Sequence, residues 1–193
     1  MTAEALSVVG IAGSLRGASF NRGLIRAAAE VAPPGMRIAT HDLIDIPMFN
    51  ADVEALGDPE PVGRFKDAIS NADAVLIATP EYNHCVPGVL KNAIDWASRP
   101  ARRSVLTNRP IAVMGASTGG GGTARAQAHL RDGLAYTGGL VLPQPEVLVP
   151  FASSRFDELG NLLDDETREA VLDLLVALAE WVRQVRAGLR AAA

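Results

Sequence analysis

The chain has 193 residues, of which 48% are hydrophobic and 21% are charged, and its formal net charge is −4. This composition is that of an ordinary globular protein, and it excludes disordered and collagen-like chains. The mild negative charge argues against a nucleic-acid partner, because nucleic-acid-binding domains usually carry a basic stripe. We expect one domain that spans residues 1–193.

The N-terminal stretch and the cysteine content indicate the cellular setting. The first residues include Glu4 and only a short apolar run, so we expect neither a signal peptide nor a membrane-spanning segment. Cys85 is the only cysteine, which excludes an intramolecular disulfide and a cysteine metal cluster. A reducing, cytoplasmic location fits this pattern best. We expect no metal site.

Strand-like and helix-like segments alternate along the chain. The runs "LSVVGIAG", "ADAVLIATP" and "RPIAVMGAS" are continuously hydrophobic, as expected of parallel strands that are covered on both faces. The run "MRIATHDL" includes polar residues, and "GGLVLPQPEVLVP" contains prolines that a central strand tolerates poorly. We therefore predict three central strands and two outer ones.

Helical patterns separate these strands over residues 21–31, 59–71, 87–98 and 123–136, and a last helix is predicted from 164 to about 189. The apolar face of this last helix consists of Val171, Leu174, Leu175, Leu178, Val182, Val185 and Leu189. Its acidic start and its arginine-rich end complement the helix dipole, so we interpret it as scaffold. The alternation predicts an α/β fold with a doubly wound, five-stranded parallel sheet and helices on both faces.

Polar and glycine-rich segments follow the first, third and fourth predicted strands. Open α/β sheets bind ligands at the carboxyl ends of their strands, where the strand order reverses. In the flavodoxin-like order 2-1-3-4-5, strands one, three and four are neighbours, so their loops meet at one crevice. The predicted function therefore depends on what these three loops can hold.

The first loop, "GSLRGASFNRG", has the composition of an anion site. Ser14, Ser19 and Asn21 offer polar hydrogens, and the backbone amides that begin the next helix favour a phosphate group. Arg16 adds a cation. Neither G-K-[ST] nor G-x-G-x-x-G is present, so a monophosphate fits better than a triphosphate or the usual dinucleotide mode. Helix capping by Ser19 or Asn21 is the alternative interpretation.

The second loop, "TPEYNHCVPG", emerges from a buried strand at the same crevice. Its proline-stiffened backbone around Pro80, Glu81, Tyr82 and Asn83 can offer amides and carbonyls to the edge of a flat heteroaromatic ring. Tyr82 can add packing surface to such a ring, and packing on the protein surface is its alternative role. The loop is therefore a candidate for holding an aromatic ligand.

The adjacent residues His84 and Cys85 resemble a catalytic pair only in composition. Neighbouring side chains in an extended segment point to opposite sides, so a hydrogen-bonded thiol–imidazole dyad is not expected. We interpret Cys85 as a small packing residue and His84 as a residue at the rim of the crevice.

The third loop, "MGASTGGGGT", places Ser117 between Gly115 and Gly119 in a G-x-S-x-G pattern. An α/β-hydrolase places an acid and then a histidine after this nucleophile. The only later histidine is His129, which lies inside the next predicted helix with no acid before it. Ester hydrolysis is therefore not expected. The glycines at 119–122 permit close backbone approach to a ligand, with loop flexibility as the alternative.

Together the three loops resemble those of the NAD(P)H-dependent FMN reductases of flavodoxin-like fold, a family that includes quinone, chromate and azo-dye reductases. The resemblance covers nearly the whole chain and rests on "GSLRGASFN", "PEYNHCVPGVLKNAIDW" and "GASTGGGGTARAQ", of which the second is the most specific. It implies that Ser14, Arg16, Ser19, Phe20 and Asn21 surround the FMN phosphate. It also implies that Pro80, Glu81, Tyr82 and Asn83 line the isoalloxazine ring and that Ser117, Gly119 and Gly120 face its other edge.

The resemblance implies an enzyme that passes hydride from a nicotinamide through FMN to quinone-like or other small acceptors, with NADH and NADPH both open as donors. The chain offers no acid–base pair or activated nucleophile, so no catalytic side chain is expected and the cofactor carries the chemistry. A homodimer or homotetramer is implied in the same way. The alternatives are a flavodoxin-type FMN electron carrier, which is usually strongly acidic, and a regulatory protein with a vestigial pocket.

Overall fold

The computed structural model describes residues 5–192. Its strands are β1 (Leu6–Ala12), β2 (Met36–His41), β3 (Ala74–Ala78), β4 (Pro110–Ala116), β5 (Leu140–Val141) and β6 (Val147–Val149). Its α-helices are α1 (Phe20–Glu30), α2 (Ala51–Glu54), α3 (Glu60–Ser70), α4 (Gly88–Ala97), α5 (Ala124–Tyr136) and α6 (Asp165–Ala192). None of the helices in the described range combines the length and the hydrophobicity that a membrane-spanning helix needs.

All strand pairings are parallel, and the strands follow the order β2-β1-β3-β4-β5, with β6 also paired to β4. The predicted 2-1-3-4-5 order is confirmed. Every residue of β3 and β4 is buried, whereas β2 has no fully buried residue. This difference follows from position, since a central strand is covered on both faces and an edge strand is partly open to water.

Two short strands share the fifth position in the sheet. β5 pairs with the start of β4, and β6 pairs with its end. Pro143 and Pro145 lie between the two strands. Because proline has no N–H to donate to a strand ladder, the predicted single outer strand is interrupted at these residues.

Apolar side chains fill both faces of the sheet. One core cluster joins the sheet to α1 and α6, and the other joins it to α3, α4 and α5. Trp96 and Phe65 are the largest fully buried side chains, and both belong to the second cluster. Helices therefore cover both faces, as predicted, and they leave the carboxyl edge of the sheet to the loops.

The helix predictions differ from the structure in two places. The four-residue α2 was not predicted, because so short a helix carries no recognisable periodicity. The predicted apolar face of α6 is buried from Val171 to Val182, but Leu189 is 42% exposed. The 28 residues of α6 span about 42 Å, whereas the seven residues of β1 span about 23 Å. The last turns of α6 therefore extend beyond the sheet.

Candidate functional site

The loops after β1, β3 and β4 surround a hollow of about 430 Å³ at the carboxyl edge of the sheet. It is lined by Ser14, Arg16, Ser19, Phe20, Asn21, Pro80, Glu81, Tyr82, Ala116, Ser117 and Thr118. This volume lies within the range of small-molecule sites. The convergence predicted from the strand order is therefore present, and we call this space the main hollow.

The other three predicted site residues, Asn83, Gly119 and Gly120, line an adjoining hollow of about 490 Å³. Glu81 and Ser117 line both spaces and so form part of the wall between them. Ala116 and Thr118 line the main hollow but were not singled out from the sequence. Both flank Ser117, so their position in the loop was the available signal.

Buried hydroxyls and a helix N-terminus form one end of the main hollow. The Ser19 Oγ accepts a hydrogen bond from the Arg22 N–H at 3.4 Å and caps α1, so the capping role considered for Ser19 is present. The Ser14 Oγ accepts from the Arg16 N–H at 3.4 Å. An accepting hydroxyl can still donate its own hydrogen, and the amides that begin α1 favour negative charge. This end of the hollow is suited to a phosphate.

Two arginines beside the main hollow have different roles. The guanidinium of Arg16 lies 4.9 Å from the centre of the Phe20 ring, a cation–π contact that holds it near the start of α1. The Nε of Arg22 donates to the Ser14 carbonyl at 3.2 Å, and the Nη2 of Arg22 pairs with the carboxylate of Asp42. Arg16 is thus placed to meet an anion, whereas Arg22 holds the backbone of the first loop.

Asn21 joins the first loop to the third. Its side chain is 2% exposed, its Oδ1 accepts from the Ala116 N–H at 2.9 Å, and its Nδ2 donates to the Ala116 carbonyl at 2.9 Å. Asn21 lines the main hollow as the resemblance implies. Its hydrogen bonds hold the ends of β4 and α1 together.

Ser117 has no base beside it. Its Oγ accepts from the Gly119 N–H at 3.1 Å, and its carbonyl accepts from the Ala152 N–H at 3.0 Å. His129 lines a separate hollow between α4 and α5. Across the part of the chain that the structure describes, no histidine side chain is hydrogen-bonded to Ser117. The geometry therefore gives Ser117 no means of activation as a nucleophile.

Geometry favours glycine at one position of this loop. Gly122 has a φ of +57°, and a Cβ there would lie 3.2 Å from the Leu148 backbone. A Cβ at Gly120 would lie 3.0 Å from the end of the Phe151 side chain, which is 60% exposed and can shift. Backbone conformation therefore accounts for glycine at residue 122, and loop flexibility stays the alternative at residue 120.

The second loop makes a tight turn. Tyr82 and Cys85 exchange backbone hydrogen bonds of 3.2 and 2.9 Å, and both residues between them are left-handed, with φ of 51° at Asn83 and 60° at His84. Left-handed backbone is uncommon outside glycine, and it concentrates at functional sites. Cys85 is exposed, so its interpretation as a packing residue was wrong, because this turn lies outside both core clusters.

The side chain of Glu81 is only 13% exposed and holds two loops together. Its Oε2 accepts from the N–H groups of Arg125 and Ala126, each at 3.0 Å, and its Oε1 accepts from the Nδ1 of His84 at 3.0 Å. Burial raises the pKa of Glu81, but the hydrogen bonds from Ala126, His84 and Arg125 outweigh it, so the pKa lies below its usual value. Glu81 is therefore ionised at neutral pH.

A sheet of order 2-1-3-4-5, with three loops that surround one hollow and a helix N-terminus suited to an anion at its end, defines a protein of flavodoxin-like fold. Comparison with known families agrees with this class. A family model described as NADPH-dependent FMN reductase matches residues 6–154. The chain belongs to this family of NAD(P)H-dependent flavin oxidoreductases.

Individual relatives match over nearly their whole length. The chain is 49% identical over 181 residues to an NAD(P)H-dependent FMN reductase of Pseudomonas aeruginosa, covering 94% of this chain and 97% of that protein. It is 42% identical over 182 residues to a 2-hydroxy-1,4-benzoquinone reductase of a Burkholderia species, covering 94% and 99%. The solved structure of FerB, a flavoenzyme NAD(P)H:(acceptor) oxidoreductase from Paracoccus denitrificans, superposes with a TM-score of 0.84 at 35% identity, over 93% and 98%.

Proposed function

We propose that residues 1–193 form one domain that binds FMN in the main hollow and transfers hydride from NADH or NADPH to a quinone-like or other small acceptor. The observation that carries this proposal is the convergence of three loops on a hollow of about 430 Å³, one end of which is suited to a phosphate. When bound, FMN supplies the hydride-transfer chemistry. The protein's own residues bind and orient the reactants.

The residues around the main hollow fit FMN at both ends. The hydroxyls of Ser14 and Ser19 and the guanidinium of Arg16 would hold the phosphate. Pro80 and Tyr82 would pack along the ring from one side. The third loop closes the other side through Ser117, which would act as a ligand contact. No catalytic side chain is assigned to the protein.

We expect NADPH or NADH to reduce FMN on the purified protein. After reconstitution with FMN, anaerobic addition of either nucleotide should bleach the flavin absorption band at about 450 nm. The position of this band is a property of the cofactor itself. Free FMN with the same nucleotide is the control and should stay oxidised over the same time. Bound FMN that neither nucleotide reduces would favour the electron-carrier function instead, and a protein that binds no FMN would contradict the proposal.

The relatives support a small-molecule acceptor, since one of them is named a 2-hydroxy-1,4-benzoquinone reductase. Steady-state oxidation of NAD(P)H with free benzoquinone, and without any partner protein, is expected for the reductase. An electron carrier of flavodoxin type would show no such turnover. A mixture that turns over only after a second protein is added would therefore contradict the reductase function.

Substitution of Arg16 should weaken binding of FMN and leave binding of riboflavin unchanged. Arg16→Ala removes a charge-assisted contact to the phosphate, so we expect the Kd for FMN to rise about tenfold or more. Riboflavin lacks the phosphate and is the matched ligand. Arg37→Ala, an exposed arginine on β2, is the matched variant and should change neither Kd. Equal weakening of the binding of both ligands would mean that Arg16 does not contact the phosphate.

We also propose a cytoplasmic homodimer or homotetramer. An exposed free thiol at Cys85 supports a reducing compartment. A hollow of about 950 Å³ between α4 and α5, bordered by the 94% exposed Tyr136, supports a partner surface. Light scattering should give two or four times the chain mass of 20.2 kDa. A single-chain mass at micromolar concentration would contradict the assembly.

A further inference from the structure

The start of α5 is capped from a distant loop. Thr123, the residue at the N-cap position, makes no capping hydrogen bond with its side chain, and its hydroxyl accepts instead from the Nε2 of Gln127 at 2.9 Å. The Arg125 and Ala126 N–H groups, which have no intrahelical acceptor, donate instead to Glu81, 44 and 45 residues earlier in the chain. The carboxylate of Glu81 therefore replaces the local cap.

The same carboxylate also stabilises a strained turn. Asn83 and His84 are consecutive left-handed residues, a conformation that costs free energy outside glycine. The Oε1 of Glu81 accepts from the Nδ1 of His84 within this turn, while its Oε2 is bonded to α5. One side chain thus ties the conformation of the second loop to the beginning of α5.

We propose that Glu81 is a positioning residue, whose carboxylate fastens the 80–85 turn to the N-terminus of α5 and so places Pro80 and Tyr82 against the ring end of the main hollow. This inference rests on the proposed function. Because Glu81 forms part of the wall between the main hollow and the adjoining one, loss of its contacts would loosen that wall. Binding of FMN and binding of riboflavin should both weaken, because both ligands carry the flavin ring.

Three charged or titratable groups lie near Glu81. His84 faces it on the same turn, Arg125 lies at the start of α5 in the adjoining hollow, and Arg16 lines the main hollow. Since the pKa of Glu81 is lowered in the folded protein, its contribution is present above the ordinary carboxyl pKa. The contribution is lost as the pH falls through the lowered pKa.

The first measurement is a pH titration of the full chain by NMR, without flavin. We expect the backbone amide signals of Arg125 and Ala126 to shift together as Glu81 is protonated, below the ordinary carboxyl pKa. The same two signals should not move in this range in Glu81→Gln. This measurement does not require FMN, so it tests the contact even if the proposed function fails. Amide signals that do not respond in the wild-type chain would overturn the inference.

The second measurement is the Kd for riboflavin and for FMN. Glu81→Gln should raise both by about tenfold, because the loss of a hydrogen-bonded carboxylate acts on the ring end that both ligands share. The matched variant is Glu180→Gln, the same change at an exposed glutamate on α6, and it should change neither. This pattern differs from that of Arg16→Ala, which affects FMN alone.

The pH profile of riboflavin binding separates positioning from general destabilisation. Riboflavin carries no phosphate that titrates, so the wild-type Kd should stay constant above the ordinary carboxyl pKa and rise as the pH falls through the lowered pKa of Glu81. In Glu81→Gln this acid rise should be absent. An unchanged riboflavin Kd in Glu81→Gln, or the same acid rise in both proteins, would overturn the inference. If the variant does not fold, the wild-type amide titration decides alone.

Discussion

Replacement of Asn21 by alanine is expected to lower the free energy of unfolding by about 3 kcal/mol and to weaken flavin binding in parallel. The substitution leaves the buried N–H and carbonyl of Ala116 without their partners. Each unsatisfied buried group costs about 1–3 kcal/mol. Urea denaturation of the protein without flavin measures the first effect, and flavin titration measures the second.

Two further variants make the Asn21 result specific. Asn71→Ala, at the exposed end of α3, should stay within about 0.5 kcal/mol of the wild type. Asn21→Asp keeps an acceptor for the Ala116 N–H but directs a carboxylate at the Ala116 carbonyl, so it should be as unstable as Asn21→Ala at neutral pH. Its stability relative to Asn21→Ala should recover in acid, where the carboxyl group is protonated. A loss below about 1 kcal/mol in Asn21→Ala would mean that water replaces the amide.

Gly115→Ala is expected to lower the free energy of unfolding by about 1–3 kcal/mol, the usual cost of overpacking, and to weaken binding of FMN. A Cβ at residue 115 would overlap the Thr79 carbonyl and the Thr123 hydroxyl. Thr79 leads into the second loop, and Thr123 leads into α5. The backbone carbonyl cannot move without displacing Pro80, so the strain is transmitted to the site.

The matched control for Gly115→Ala is the same substitution where a Cβ meets open space. Gly63 lies within α3 with nothing within 4 Å of such an atom. Gly63→Ala should therefore raise the free energy of unfolding by about 0.5–1 kcal/mol, because alanine has the higher helix propensity. Thermal unfolding of both variants measures the contrast. A stabilised Gly115→Ala protein would mean that β3 and β4 can separate at this point.

The central and outer strands were predictable because hydrophobic patterning is local, whereas the order 2-1-3-4-5 was taken from the flavodoxin-like pattern. Continuous apolar runs identified the three central strands, and prolines 143 and 145 marked the outer position of the last predicted strand. The division of that strand into β5 and β6 was not predicted, because the same prolines were interpreted only as marks of an outer position. The short α2 was missed because four residues carry no periodic signal.

The list of residues around the main hollow was also predictable to a large extent, because carboxyl-end loops of neighbouring parallel strands must meet. The role of each side chain around the hollow was not predictable. Asn21 bonds to Ala116, 95 residues away, and Glu81 bonds to the start of α5, more than 40 residues away. No local pattern predicts a partner at such a separation, so Glu81 was assigned to the ligand, and Asn21 to the ligand or to a helix cap.

The sequence by itself determined the α/β class, the central and outer strands, the family resemblance and the three loops that surround the main hollow, since hydrophobic patterning and loop chemistry are properties of short segments. The tertiary structure alone decided that Glu81 of the second loop caps α5 and that Cys85, four residues later, is exposed. The capping depends on which backbone groups folding leaves without a partner, and the exposure of the cysteine depends on where its turn lies relative to the core. Such groups are known only once distant segments have been brought together.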